Sequence, residues 1–73
     1  MIQVTVEALP KGTGGGYARG DHIFIDSSLP EERKRLTIIH EVLEIRVPDL
    51  DHCELDRIGI DIIDALRLGG CLD

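Results

Sequence analysis

Apolar and polar residues alternate over the first positions of the chain. Ile2, Val4 and Val6 are separated by polar side chains, which is the period-two pattern of a strand that buries one face. Pro10 is expected to end this strand. The segment that follows, residues 12–20, holds five of the eight glycines and predicts a flexible connection to the next element.

A second alternating run, HIFID at residues 22–26, predicts another strand. Ile23 and Ile25 fall on one of its faces, while polar and aromatic side chains fall on the other. A β-hairpin is the simplest way for two successive strands to pair. We therefore expect the first strand and residues 22–26 to form a hairpin.

After this strand, the apolar residues change to helical spacing. Pro30 followed by two acids favours a helix start, because proline tolerates the first turn and acids stabilise the positive end of the helix dipole. Ser28 is the expected N-cap, and Pro48 is expected to stop the helix near Arg46. The predicted buried face consists of Leu36, Ile38, Ile39, Val42, Leu43 and Ile45.

A second helix is predicted from Asp51, because Asp51 and Glu54 have the spacing of a capping box. Gly69 and Gly70 are expected to end it. Its apolar positions are Leu55, Ile58, Ile62, Ala65 and Leu66. The whole pattern predicts a single α+β domain over residues 1–73, in which an N-terminal β-hairpin is followed by two helices.

Charge and composition narrow the function classes. The formal net charge of −6 argues against nucleic acid as a ligand, because phosphate binding needs a clustered basic surface. The apolar runs are shorter than the ~20 residues of a membrane span, and the N-terminus lacks the pattern of a signal peptide. Cys53 and Cys71 are expected to be free thiols, with a structural disulfide as the less favoured alternative. We expect a cytoplasmic protein.

Candidate chemistry is concentrated in the first helix. His40 and Glu44 are one helical turn apart, so they can direct a nitrogen and an oxygen toward one point, and zinc accepts both ligand types. Glu41 follows about 100° around the helix, where its carboxylate could act as general base on a water at such a site. In the plainer interpretation, His40 and Glu44 are an ordinary surface pair without a metal.

A third metal ligand must come from elsewhere in the chain. His52 is the first choice, because Pro48 forces a sharp turn and seven residues separate Glu44 from His52. At a helix N-terminus the dipole also favours the neutral imidazole that binds metals. Glu54, Asp56 and His22 remain alternative ligands.

The segment GDHIFIDSSLPEERKRLTIIHEVLE resembles the central part of the ImmA/IrrE-type metallopeptidases and of small phage-encoded proteins related to them, which belong to the zincin group. Ile23, Ile25 and Asp26 match the strand of that family. Leu29-Pro30 matches the turn, the basic run from residue 33 to 35 precedes the motif, and His40-Glu41 begins the HExxH motif. The resemblance extends over roughly residues 20 to 66.

The resemblance implies a minimal zincin-like core and a set of roles. It makes His40 a zinc ligand, Glu41 the base that activates water, and Glu44 the residue in the second ligand position. It also implies cleavage of peptide bonds in repressors or other regulators, with the substrate added as a strand at the sheet edge, for which residues 22–26 are the candidate. Glu44 departs from the family histidine and adds a negative charge, which weakens the polarising effect of a metal.

Three functional hypotheses follow. The first is a zinc-binding, zincin-like protein with His40, Glu44 and His52 as ligands, which as a peptidase would use Glu41 as base. The second is a noncatalytic module that kept the fold and binds a protein or peptide partner, or a second copy of itself in a homo-oligomer. The third is a structural subunit without a metal.

Overall fold

The computed structural model describes residues 1–72 and has an α+β fold. Three strands, β1 (Gln3–Glu7), β2 (Gly16–Arg19) and β3 (His22–Asp26), form one sheet. Two helices follow, α1 (Glu31–Arg46) and α2 (His52–Leu68). The predicted fold class, strands at the N-terminus followed by two helices, is confirmed.

The order of the strands differs from the expected hairpin. The sheet has the order β1-β3-β2, and β1 pairs with β3 in parallel, with Val4 opposite Ile23. The prediction that the first strand and residues 22–26 pair as a hairpin is therefore wrong. The hairpin is formed by β2 and β3, which are antiparallel and joined by a tight turn with Gly20 at φ 60°.

Strand β2 lies inside the glycine-rich segment that the sequence predicts to be a flexible connection. Gly16 packs so tightly there that a Cβ atom would lie 2.9 Å from the Phe24 carbonyl oxygen and 2.9 Å from Thr37 Cγ2. The glycine thus allows β2 to approach both β3 and α1. Because β2 and β1 flank β3, residues 22–26 form the central strand, and the expectation that they provide a free sheet edge is wrong.

The two faces of β3 are as predicted. Ile23 and Ile25 are fully buried beneath α1, which packs on β2 and β3. On the other face the ring of Phe24 stacks between His22, at a centroid distance of 4.2 Å, and Tyr17, at 5.0 Å. In β1, however, Val4 and Val6 remain 44% and 49% exposed, because α1 packs over the other two strands.

Helix α1 ends at Arg46, as predicted, but its start differs in detail. Pro30 occupies the N-cap position and makes no side-chain cap, so the prediction of Ser28 as N-cap is wrong. The Ser28 backbone N–H instead donates to Asp26 Oδ1 at 3.1 Å, and this hydrogen bond lowers the pKa of Asp26. The predicted apolar positions of α1 are only half-buried, and its one buried residue is Glu41.

Helix α2 begins as predicted, with the Asp51 side chain accepting from the Glu54 backbone N–H at 2.9 Å. It packs on α1 through Leu55, Gly59 and Ile63. Of the predicted apolar face, only Leu55 is fully buried; Ile62 and Leu66 are more than a third exposed because α1 covers one side of that face. Within residues 1–72 neither helix has the length and apolar character needed to cross a membrane.

The two cysteines are exposed free thiols. Cys53 lies in the first turn of α2 and Cys71 follows its end. The expectation of free thiols is confirmed, and the alternative of a disulfide between them is not realised.

Candidate metal centre

The three residues predicted as metal ligands lie together at the junction of the two helices. His40 and Glu44 project from the same side of α1, with 3.3 Å between His40 Nε2 and Glu44 Oε1. The turn around Pro48 returns the chain so that His52, the first residue of α2, places its Nε2 atom 3.4 Å from the same Glu44 oxygen. One ligand atom from each residue lies within 4.8 Å of the other two.

These separations suit a small divalent cation. With bonds of about 2.0–2.2 Å, two ligands of a tetrahedral zinc ion are about 3.4 Å apart. The two distances to Glu44 already have this length, and the ligand atoms of His40 and His52 lie within 4.8 Å of each other. Two histidines and one glutamate are also a ligand composition found in catalytic zinc sites.

The cluster is open on one side. The side chain of His40 is 24% exposed, that of Glu44 37%, and that of His52 77%. Three protein ligands on the inner side would therefore leave the outer side of a bound ion accessible to water or a substrate. Such an open arrangement differs from a structural zinc site, in which four protein ligands surround the ion.

Asp56 contacts the opposite edge of the His40 ring. Its Oδ1 atom lies 3.3 Å from His40 Nδ1, while Nε2 faces Glu44. An acceptor at Nδ1 holds the proton on that nitrogen and leaves Nε2 free to bind a metal, as second-shell carboxylates do in many metal sites. Asp56, an alternative ligand in the sequence analysis, therefore occupies a supporting position behind His40.

The two remaining alternative ligands face elsewhere. Glu54 forms an ion pair with Arg57 at 3.7 Å on the exposed side of α2. His22 lies on the sheet face away from the helices, and its Nε2 atom is 2.7 Å from Thr5 Oγ1. Of the four residues considered for the third position, His52 is the one that joins His40 and Glu44 in the cluster.

Glu41 is the buried residue of the site. The residue is 8% exposed and lines the groove in front of the cluster. It makes no side-chain hydrogen bond or ion pair among residues 1–72, and its carboxylate oxygens reach the solvent in the groove, since no buried side-chain oxygen lacks a partner. Burial raises the pKa of its carboxyl group, the charge of Glu44 adds to this, and His40 and His52 oppose it. The sequence predicts a carboxylate at the edge of the site, and Glu41 lines the same groove as the three candidate ligands.

The cluster opens into a groove of about 920 Å³ between the helices and β2. Residues of α1 and α2 line it, together with Gly16, Tyr17 and Ala18 of β2. Strand β2 is an edge strand, so one of its sides is free of β-pairing.

The free side of β2 can be identified from the hydrogen-bonding register. Asp26 N–H donates to the Gly15 carbonyl at 2.8 Å, so residues 15 and 26 form a hydrogen-bonded pair. In an antiparallel ladder such pairs alternate. Tyr17 and Arg19 therefore bond to β3, while the N–H and C=O groups of Gly16 and Ala18 point away from it and make no hydrogen bond within residues 1–72.

Comparisons of the chain with protein-family models, with curated proteins and with solved structures found no match.

Proposed function

We propose that the protein is a zinc-binding hydrolase of the zincin type that cleaves peptide bonds. The observation that carries the proposal is the convergence of His40, Glu44 and His52 in a groove that is also lined by Glu41, a largely buried acidic residue. An acid whose pKa is raised by burial costs stability at neutral pH, and such groups are concentrated at functional sites. Neither an ordinary surface pair nor a purely structural subunit requires one.

In the proposed reaction, each residue of the cluster has a separate role. A bound zinc ion would polarise a carbonyl group and make a water molecule more acidic. His40 would bind through Nε2, with Nδ1–H donating to Asp56, and Glu44 and His52 would complete the protein ligands. Glu41 would accept the proton of the attacking water and pass it to the leaving amine, the role of a general base and then acid.

Strand β2 supplies a means of holding a peptide. An extended chain pairing with β2 would bond to the outward groups of Gly16 and Ala18 and lie across the groove, above the zinc ligands. This proposal moves the binding edge from residues 22–26, which are central in the sheet, to β2. Hydrogen bonds to the main chain of a peptide do not distinguish one peptide sequence from another, so side chains in the groove must provide selectivity.

Zinc binding is tested first. Protein purified without a histidine tag should contain close to one equivalent of zinc or take it up from solution. His40→Ala and Glu44→Ala should each lose it, and His22→Ala, which removes a histidine outside the cluster, should retain it. Wild-type protein that neither contains nor takes up zinc would rule out the metal centre.

Peptide cleavage is tested separately with Glu41→Gln. This variant keeps the size of the side chain and all the zinc ligands, so it should hold zinc like the wild type and lose turnover. Cleavage of a peptide library by wild-type protein, with products identified by mass spectrometry, gives the reference. Activity that persists in Glu41→Gln would remove Glu41 from its assigned role.

A noncatalytic interaction module is the second candidate, favoured by exposed apolar side chains away from the groove. Val4 and Val6 on β1 and Ile62 and Leu66 on α2 are each more than a third exposed. Such surfaces suit a protein partner or a second copy of the chain. Sedimentation over a range of concentrations tests self-association, and a zinc-free, inactive protein that self-associates would favour this candidate.

We further propose a cytoplasmic location. Both cysteines are free and exposed, as is usual where thiols are kept reduced. A fluorescent fusion, together with thiol labelling in intact and lysed cells, tests the location.

A further inference from the structure

Within residues 1–72, Arg33 is the one lysine or arginine that lines the groove. It lies on the polar side of α1 that also carries Thr37, His40 and Glu44, at the opposite end from the zinc ligands. Around those ligands the groove is acidic, with Glu41, Glu44 and Asp56. Arg33 therefore reverses the sign of charge at one end of an otherwise acidic groove.

Within the described part of the chain, the guanidinium of Arg33 has no partner of its own. Arg46 forms an ion pair with Asp21 at 3.3 Å, and Arg67 with Glu32 at 3.0 Å, but Arg33 makes no ion pair or side-chain hydrogen bond within residues 1–72. A guanidinium presents several donors in a planar fork that matches a carboxylate. Its donors thus remain available to a ligand in the groove.

The direction of β2 relates Arg33 to a bound peptide. At the start of β2, Gly16 abuts Thr37, one turn beyond Arg33; just past its end, Asp21 pairs with Arg46 at the end of α1. Strand β2 therefore runs alongside α1 in the same direction. Arg33 and His40 are about 10 Å apart along the helix axis, which is the length of about three residues of an extended peptide.

We propose that Arg33 selects peptides that carry a carboxylate about three residues from the bond at the metal centre. The inference rests on the proposed function in so far as it places a peptide on β2. The carboxylate is either an acidic side chain or a C-terminus, since both present the same group to the guanidinium. In the metal-free groove, acidic side chains next to His40 are disfavoured by Glu41, Glu44 and Asp56.

The test measures binding, so it does not depend on turnover. Fluorescent peptides in which glutamate, glutamine or lysine is moved through each position are titrated into Glu41→Gln protein, with and without zinc. One position should favour glutamate over glutamine by about three- to tenfold, between the contribution of an exposed ion pair and that of a buried one. Amidated and free C-termini distinguish a terminal carboxylate from a side chain.

Arg35 provides the matched control. It is two residues from Arg33, about 200° around α1, does not line the groove, and also has no ion pair within residues 1–72. In the Glu41→Gln background, Arg33→Ala should abolish the preference for glutamate, Arg33→Glu should replace it with one for lysine, and Arg35→Ala should retain it. An equal loss in Arg33→Ala and Arg35→Ala would show a general charge effect and overturn the proposal.

Two further outcomes separate this inference from the proposed function. Absence of any peptide binding, or of a preference both for glutamate over glutamine and for a free over an amidated C-terminus, overturns the role of Arg33 even if the protein binds zinc. An Arg33-dependent preference in a protein that binds no zinc supports the role of Arg33 and removes the metal centre. The zinc content of each sample is therefore measured together with the peptide affinity.

Discussion

Glu44 is the residue that most clearly departs from the HExxH motif, and the structure changes the meaning of that departure. Considered alone, a carboxylate in place of imidazole lowers the charge of a zinc site. His52 supplies the second imidazole from the start of α2, 3.4 Å from Glu44. The full set of two histidines and one glutamate thus has the composition of an ordinary catalytic zinc site. In the proposed zinc centre, the imidazole of His52 would replace the one that is missing at position 44.

Asp56 is expected to act on the metal through His40. Asp56→Ala should weaken zinc binding about 10- to 100-fold, because it removes the acceptor that holds the Nδ1 proton and fixes the ring. Asp56→Asn retains an acceptor, so its affinity should fall between those of the wild type and Asp56→Ala. Competition with a chromophoric chelator measures the affinities, and the visible spectrum of the cobalt-substituted protein reports ligand geometry.

Asp61→Ala is the control, since it removes an exposed carboxylate from the same helix outside the groove. If Asp56→Ala and Asp61→Ala had the same effect on affinity, the effect of Asp56 would be one of net charge alone. A change in the cobalt spectrum that is confined to the Asp56 variants would establish a positioning role.

Glu41 should make the metal-free protein less stable at neutral pH. Burial raises the pKa of its carboxyl group in the folded state, so the folded protein binds the proton more tightly than the unfolded chain. The stability linked to this proton is present at acid pH and is lost as the pH rises through the folded-state pKa. Glu41→Gln should therefore melt above the wild type at neutral pH.

The two melting curves should converge as the pH falls, because the protonated carboxyl group of Glu41 and the amide that replaces it in the variant are both neutral. Thermal unfolding of metal-free Glu41→Gln and wild type across the acid and neutral range measures this. A difference in melting temperature that does not change with pH would indicate that the carboxyl charge is not its cause.

At the scale of elements, the helices could be predicted well and the sheet could not. Helix α1 ends at Arg46, shortly before Pro48, and the carboxylate of Asp51 caps the start of α2. Both signals are local, because they act over a few residues. Strand β2 has no such signal, because the sequence GYAR alternates little and begins with glycine. Its formation depends on contacts of Gly16 with Phe24 and Thr37, which are distant in sequence.

The same limits apply to the site. The spacing of His40 and Glu44 predicts that they lie one turn apart on the same side of a helix. Pro48 predicts a turn that brings His52 back to these two residues. The position of Asp56 behind His40 depends on the angle between the two helices, which Leu55 and Gly59 determine by packing. The burial of Glu41 depends on the elements that pack on α1, which are β2, β3 and α2, and no local pattern in α1 predicts them.

Strand β2 should depend on the absence of a side chain at Gly16. Gly16→Ala would place a Cβ atom 2.9 Å from a backbone oxygen and from Thr37 Cγ2, so it should destabilise the protein by about 1–3 kcal/mol. In Gly59→Ala the nearest atom would be at 3.6 Å, an ordinary contact, and the gain in helix propensity should make that variant neutral or slightly more stable. Urea unfolding of both variants measures the difference, and equal stabilities would contradict the tight packing of β2.

At the scale of the whole molecule, the apolar core is small. The fully or nearly buried apolar side chains are Ile23, Ile25, Leu55 and Ile63. The helices are held together mainly by one side of α2, and a short turn around Pro48 connects them. An ion bound to His40 and Glu44 of α1 and to His52 of α2 would link the helices directly, so metal binding and folding should be coupled.

Zinc should therefore raise the stability of the protein by an amount set by its affinity. A ligand that binds only the folded state at 100 times its dissociation constant adds about 2.7 kcal/mol, which in a domain of this size raises the melting temperature by about 10 °C or more. His52→Ala should lose most of this increment while its metal-free form melts near the wild type, because the His52 side chain is 77% exposed. Thermal unfolding of both proteins with zinc and with a chelator measures the two increments. An equal zinc-dependent shift in wild type and His52→Ala would show that the ion does not link the two helices through His52.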